Sequence, residues 1–504
     1  LPLTAKDGGA MSDLWVKKSI EQLRREAAET EHGLRRALGP VALISLGIGA
    51  IIGAGIFVII GLAVQHTGPA LVLSVILTGI GCAFAALCYS EFASMIPVAG
   101  SAYTYAYATI GEFLAWIIGW DLILEYAVGA TTVSIGWSGY MVSFLRTLHV
   151  PFPAELARSP WEKTMTVNGV VVHSYFNLPA FFIVALITIL LILGIRESAG
   201  FNNLVVIVKV GVILLFIIVC AFYVTRSNWT PFLPPNQGTF GEFGWSGILR
   251  GAGLMFFAYI GFDAVSTAAQ EARNPERDMP IGILGSLGIS TLLYLGVVIV
   301  MTGVIPFRRL NVPDPLAVAV DATPAHWLSP LVKIGAILGT TAVILVMLLG
   351  QTRVFYTMAY DGLLPKAFGT VHPRFRTPYK STALVGFFVA LGGGLIPLRI
   401  VGELVSIGTL LAFTIVCGSV LAMRKLHPEI SRPFRTPLVW FVAPMGMIIS
   451  LGQMLGLPLD TWIRLFVWMA IGFVIYFGYS RRHSILRLSS RESSTATPVT
   501  KTKI

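Results

Sequence analysis

The sequence predicts an all-α integral membrane protein of twelve transmembrane helices, and three observations carry that expectation. Hydrophobic residues make up 55 % of the 504 and charged residues only 12 %, against a soluble norm of about 25 % charged. The apolar residues are gathered into runs suited to crossing a hydrocarbon core of about 30 Å, and mean hydropathy is +0.78. Two of the runs, the first and the sixth, are interrupted by glycine where an ordinary spanning helix carries leucine.

In chain order, Leu1 to Ala10 precede the first methionine, Met11, and read as a vector remnant or an upstream extension. Residues 12–36 read as a polar, helical tail, too charged for a signal peptide. Twelve apolar spans follow, at 41–64, 70–95, 112–145, 178–195, 199–224, 247–271, 280–304, 330–359, 382–397, 400–423, 438–457 and 462–480. The third and eighth are long enough to tilt or to project from the bilayer. Twelve spans put both termini on one side. With both inside, the inner segments hold most of the 36 Lys and Arg, as the positive-inside rule requires. Orientation therefore accounts for the net charge of +11 without nucleic acid. It makes 272–279, 360–381 and 424–437 cytoplasmic and 146–177 the largest external loop. Residues 100–112, rich in Tyr and Ala, read as an interfacial helix. Cys82, Cys88, Cys220 and Cys417 lie inside apolar runs, spaced for neither a metal site nor a disulfide framework.

The first span carries Gly47, Gly49, Gly53 and Gly55 near its middle. Each glycine weakens a helix by roughly 1 kcal/mol relative to alanine, so the run is a candidate for unwinding. Unwound backbone at membrane depth is tolerated only against protein or a wet cavity. The half-helix beyond such a break points free N–H groups and a positive dipole end into that cavity, which suits a carboxylate. The competing reading is a close-packing face, since Gly49, Gly53 and Phe57 share one helical stripe. The sixth span repeats the pattern from Gly251 to Asp263. An aspartate at mid-span is costly and suits a helix cap, so Asp263 is expected to open a second half-helix after a break at Ala258 to Gly261. Two interrupted spans at matching places in two halves point to an inverted-repeat transporter with its site at the repeat interface.

The residues from Gly47 to Phe57, from Phe256 to Asp263, from Arg273 to Pro280 and from Gly350 to Tyr356, with Asp361 to Pro365 and Arg374 to Pro378, carry a resemblance. Over residues 35–480 the chain resembles the amino acid–polyamine–organocation superfamily and, within it, the cationic amino acid transporter family and its bacterial relatives. The resemblance implies a LeuT-like fold: a five-plus-five inverted repeat with helices 1 and 6 broken, plus two additional helices. The organisation is then a cytoplasmic tail over 1–40, a first repeat over 41–224, a second over 225–423, two helices over 424–480 and a cytoplasmic tail over 481–504. It implies that a substrate carboxylate meets the backbone N–H groups of Gly53, Ala54 and Gly55. The substrate ammonium meets carbonyls near Ile51, Phe257, Ala258 and Ile260.

Charges inside the spans are the remaining candidates. Lys209 sits near mid-depth of the fifth span, where an unpaired lysine is penalised by roughly 2.5–3.5 kcal/mol and should face the bundle. In relatives without sodium dependence a lysine here resembles a stand-in for sodium, bridging the fifth span to the first and eighth. Protonated Lys209 is expected to hold the first broken helix, and the alternative is a structural lysine. Thr340 and Thr341 offer hydroxyls to sodium, so proton coupling is the expectation and sodium the alternative. Asp121 and Glu125 lie one turn apart on the third span. Glu125 is a proton-site candidate, against a purely structural network. Glu91 is expected in a structural ion pair, and Arg353 at an inner gate or a helix end. Met347, Tyr259 and Phe262 are candidates to line the pocket beyond the α-carbon. A flexible methionine suits varied apolar side chains, although it serves packing equally well.

The reading is a secondary active transporter that moves L-amino acids by proton symport and alternating access, broadly preferring neutral ones. The alternatives are a cationic amino acid or polyamine transporter or exchanger and, less favoured, a non-transporting receptor, against which short tails without a signalling domain weigh. No nucleophile–base pair suggests an enzyme. No cofactor and no nucleic acid partner is expected. The chain is read as a monomer among membrane lipids in a bacterial plasma membrane. A small accessory subunit or a sterol on the lipid face is left open.

Overall fold

The computed structural model describes residues 16–18, 38–95, 101–162, 165–167, 170–194, 199–263, 265–266 and 272–488. The expected helical tail over 12–36 falls outside them except for its residues 16–18, as does the chain beyond 488. The fold is an all-α bundle. Its first helix stops early: α1 (Pro40–Ile51) gives way to a break, a π-helical turn over Gly55–Ile59 and α2 (Ile60–Thr67). Then follow α3 (Leu71–Met95), α4 (Ser101–Thr109), α5 (Glu112–Ile123), a second π-helical turn over Leu124–Val128, and α6 (Gly129–Thr147). An antiparallel hairpin, Met165–Val167 with Val170–Val172, interrupts the loop expected at 146–177. After α7 (Leu178–Ile192), α8 (Ala199–Ala221) and α9 (Gly244–Met255) come α10 (Pro275–Val304) and a short α11 (Pro315–Asp321). The chain closes through α12 (Leu328–Tyr360), α13 (Tyr379–Leu395), α14 (Leu398–Leu426), α15 (Val439–Leu455) and α16 (Leu459–Ile475).

Among the described residues, seven helical stretches are long and apolar enough to cross a membrane. The expected spans at 178–195, 382–397 and 438–457 are apolar helices of 15, 17 and 17 residues, below that length. The sixth span is divided. Large apolar side chains stand exposed around the bundle, among them Ile207 at 69 % and Leu292 at 71 %, which is the solvent pattern of lipid rather than water. Inside, α10 packs against α1 and α3, α12 against α6, α13 against α7, and α14 against α15.

Charge is buried at the two ends of this bundle, where it is paired. Near the C-terminal ends of α3 and α14, Glu91 takes a two-pronged bond from Arg424, at 2.8 Å to each oxygen, and a third from the Thr436 N–H. Beside it, α4 is a helix as expected, but it lies within the protein and not at the lipid interface. Tyr103, Tyr105 and Tyr107 are all buried: the hydroxyls of Tyr103 and Tyr107 reach the carboxylates of Asp361 and Glu112, and the Tyr105 ring stacks on Phe92. Both ends of the described chain meet here. Lys18 Nζ lies 2.6 Å from Asp361, the Ile485 N–H bonds the Asp361 carbonyl, and Arg487 Nε lies 2.6 Å from the fully buried Glu112. At the opposite end, buried Glu403 on α14 accepts from Thr461 and faces Arg250, Arg399 and Arg464 at 3.5 to 3.6 Å.

Removing one partner of a buried pair strands the other charge, at a cost of about 3–5 kcal/mol. Glu91→Ala is therefore expected to lower the unfolding midpoint of the detergent-solubilised protein well below wild type. Arg374→Ala, in an exposed loop, should shift stability by no more than about 0.5 kcal/mol. Tryptophan-fluorescence melts of both variants check this, and equal midpoints would mean that Glu91 secures nothing.

Candidate functional site

The two glycine-rich segments meet in the centre of the bundle. The first departs from helix at Ile52, whose backbone is extended (φ −76°, ψ 96°), and resumes helical geometry at Ala54. The second runs from α9 into a single tight turn over Phe256–Tyr259, then extends at Ile260 (ψ 134°) and turns at Gly261 with φ +115°. Each break admits the backbone of the other through a glycine. A Cβ on Gly55 would sit 2.2 Å from the Ala258 Cα, and one on Gly261 would sit 2.8 Å from the Ala50 carbonyl carbon. Gly261 is doubly bound to its identity, because its positive φ also excludes side chains.

Breaking a helix exposes polar backbone that must find partners. The carbonyls at the end of α1 are taken by side chains from other helices. Lys209 on α8, fully buried, donates to Gly49 O at 2.5 Å and Ile52 O at 2.8 Å, and its stem packs beside Gly339 of α12. The Tyr294 hydroxyl on α10 lies 2.9 Å from Ile51 O and 2.6 Å from Ala258 O, so one phenol spans both breaks. Tyr140 on α6 donates to Phe57 O at 2.7 Å. Among the described residues the N–H of Gly53 meets no acceptor. An amide nitrogen at the start of one half-helix and carbonyl oxygens at the ends of two others thus lie close together. That polarity matches a zwitterion with its carboxylate toward the former and its ammonium toward the latter.

The structure brings Ile51, Gly53, Ala54, Gly55, Phe257, Ala258 and Ile260 together, all buried. Tyr259 turns away: its hydroxyl donates to Val75 O at 3.3 Å on α3 and its ring meets Tyr294 edge-on. Phe262 lies between Tyr89 and Phe413. Met347 on α12 packs its sulfur against Gly129, at the start of α6. Immediately before Gly129 the π-helical turn over Leu124–Val128 carries Glu125, which is buried together with Asp121. Neither oxygen of Asp121, nor Oε1 of Glu125, has a hydrogen-bond partner among the described residues. The neighbouring Tyr126 hydroxyl donates to Asp263 Oδ2 at 3.3 Å, and Asp263 Oδ1 accepts from the Gly261 N–H. Asp263 therefore closes the turn at the second break. The half-helix that it was expected to open falls partly on residues 264 and 267–271, outside the described ones.

Thr340 and Thr341 spend their hydroxyls on carbonyls of their own helix, at 2.6 and 2.7 Å, and Thr341 also receives the Trp137 indole. Arg353 is exposed on α12. Among the described residues no group of three or more His, Cys, Asp or Glu is placed to hold a metal ion. Sequence reasoning missed Tyr140 and Tyr294. Their signal was a phenol within an apolar run, since a buried tyrosine hydroxyl usually finds a partner.

Comparison with known proteins adds a second line. A family model described as amino acid permease matches residues 38–485. The chain is 47 % identical over 471 residues to the branched-chain amino acid permease BcaP of Bacillus subtilis (strain 168), spanning 93 % of this chain and 98 % of that one. It is 44 % identical to the methylthioribose transporter of the same organism, over 94 % of this chain and 100 % of that one. It is 37 % identical to the vacuolar cationic amino acid transporter 4 of Arabidopsis thaliana, over 83 % of this chain and 68 % of that one.

Because each glycine contact is backbone against backbone, Gly55→Ala and Gly261→Ala are each expected to destabilise the protein by more than about 1 kcal/mol. Gly452→Ala, which opens onto empty space, should not. Thermal melts of the three variants decide it, and tolerance of alanine at position 55 would show that the breaks are not in register as described.

Proposed function

The chain belongs to the amino acid permease family, and from that premise we propose that it carries neutral L-amino acids across a bacterial plasma membrane by proton symport. The family sets the general activity: a multi-pass membrane transporter of the secondary kind, not an enzyme. The observation that carries the finer reading is the contact between the two breaks, with Lys209 on the carbonyls of the first.

In this proposal the chain has twelve spans, with five-plus-five inverted repeats over 41–224 and 225–423, two further helices over 424–480, and both termini cytoplasmic. The substrate carboxylate is held by the N–H groups of Gly53, Ala54 and Gly55. Its ammonium is held by the carbonyls of Ile51, Phe257, Ala258 and Ile260. Alternating access then moves the two breaks against the rest of the bundle around this fixed site. Protonated Lys209 offers three donors and a positive charge to the carbonyl end of α1, where the helix dipole is negative. Losing the proton removes that charge and weakens the hold on α1. Glu125 provides the second proton site, beside the substrate wall formed by Met347 and Gly129.

Two features support neutral substrates. The wall near Gly129 is apolar, with Met347 and Val405 beside it. A relative 47 % identical is named for branched-chain amino acids. A second reading rests on the relative named for methylthioribose, which this chain matches over its whole length. That sugar has neither carboxylate nor ammonium and would use the same backbone groups differently.

Uptake into proteoliposomes tests these readings, with labelled leucine, alanine, arginine and methylthioribose, each with and without an inward proton gradient. Gradient-driven accumulation of leucine and alanine is expected, with at least a tenfold loss in Lys209→Ala. Equal accumulation by that variant would remove Lys209 from coupling. Uptake of methylthioribose alone would make the second reading correct, and arginine alone would identify a cationic amino acid carrier.

A further inference from the structure

A groove opens on the outside of the bundle, far in function from the central site. It has a volume of about 860 Å³ and runs along the first three turns of α10. Asn274, Glu276 and Arg277 line one end, and Pro280 and Leu284 continue it, with Phe434 on the facing wall. From Asn274 to Gly285 the helix advances about 16 Å at 1.5 Å per residue. The groove is thus polar and charged at one end and apolar at the other.

Three further observations say what it faces. Ile281, Leu292 and Ile299 on α10 are 38 %, 71 % and 42 % exposed, and their spacing puts them on one helical face. That face is the lipid side, and Ile281 lines the groove as well. The facing wall is built and not loose: the Phe434 N–H bonds Ser94, and the adjacent Arg432 is buried against Glu91 and the carbonyls of Met423 and His427. At the polar end, a cation and an anion stand on consecutive residues.

We propose that this groove binds a phospholipid with a primary-ammonium headgroup, phosphatidylethanolamine, as a specific site on the transporter surface. The phosphate pairs with the Arg277 guanidinium, which suits phosphate as a planar donor fork. The ammonium donates to the Glu276 carboxylate. The acyl chains lie over Pro280, Ile281 and Leu284 against Phe434. A choline headgroup has no N–H to donate, and a glycerol headgroup has no positive charge for Glu276, so both fit less well.

Native mass spectrometry of the full chain in detergent tests the site, with phosphatidylethanolamine, phosphatidylcholine and phosphatidylglycerol of identical acyl chains added in turn. Wild type is expected to retain phosphatidylethanolamine at least fivefold more than either of the others. Glu276→Gln, a shape-conserving change at an exposed position, should bring the ethanolamine and choline lipids to parity. Arg277→Ala should reduce retention of all three by threefold or more. The proposal is overturned if phosphatidylglycerol is retained as well as phosphatidylethanolamine, if no lipid is retained, or if Glu276→Gln keeps the wild-type preference. Unchanged melting temperatures in both variants would tie these losses to the groove and not to unfolding.

Discussion

Everything central to this protein depends on two backbones touching. Gly55 lies against Ala258 and Gly261 against Ala50, at separations no side chain permits. A helix is normally the only way to carry backbone through lipid, because its polar groups satisfy one another. Here two helices give up that economy in the same place. The freed groups are not left to chance: a lysine and two tyrosines from three other helices take the carbonyls. The candidate site is therefore made of main chain, and the side chains around it hold the main chain in position.

That arrangement separates two kinds of buried charge. At the ends of the bundle, Glu91, Glu112 and Glu403 are each paired with arginine, and their work is to hold helices together. At the centre, Asp121 and Glu125 have carboxylate oxygens with no hydrogen-bond partner among the described residues. Buried acids at the ends are compensated by fixed cations, so a proton gained or lost there would break a pair. Among the described residues the acids at the centre have no cation hydrogen-bonded to them, and a buried charge without a partner is costly.

Much of this was legible in the residues. Glycine where leucine belongs marked both breaks, and a lysine in an apolar span had to face inward. Glu91 was read as half of an ion pair, and it is one. What stayed hidden depended on distance along the chain. Tyr294 looks like core in its own span, and only the fold sets its hydroxyl 2.9 Å from a carbonyl 243 residues earlier. The tyrosine-rich α4 looked amphipathic enough for the lipid interface, because the carboxylate that takes Tyr103 lies 258 residues away. The π-helical turn at Glu125 gave no local sign at all. The short helices at 178–192, 379–395 and 439–455 fall below crossing length where the hydropathy had suggested full spans. Hydropathy measures solvent preference, not where hydrogen bonding stops.

The meeting of Lys18 with Asp361 and of Arg487 with Glu112 also fixes an order of events in time. Glu112 is completed by Arg487, 375 residues later, and Asp361 takes Lys18 from 343 residues earlier. At about 5–20 residues added per second, roughly 20–75 s separate the synthesis of Glu112 from that of its arginine. During that interval α5 is already made while its buried acid has no cation. The bundle can then be assembled in outline from its first helices, but that end of it is closed only once Arg487 has emerged.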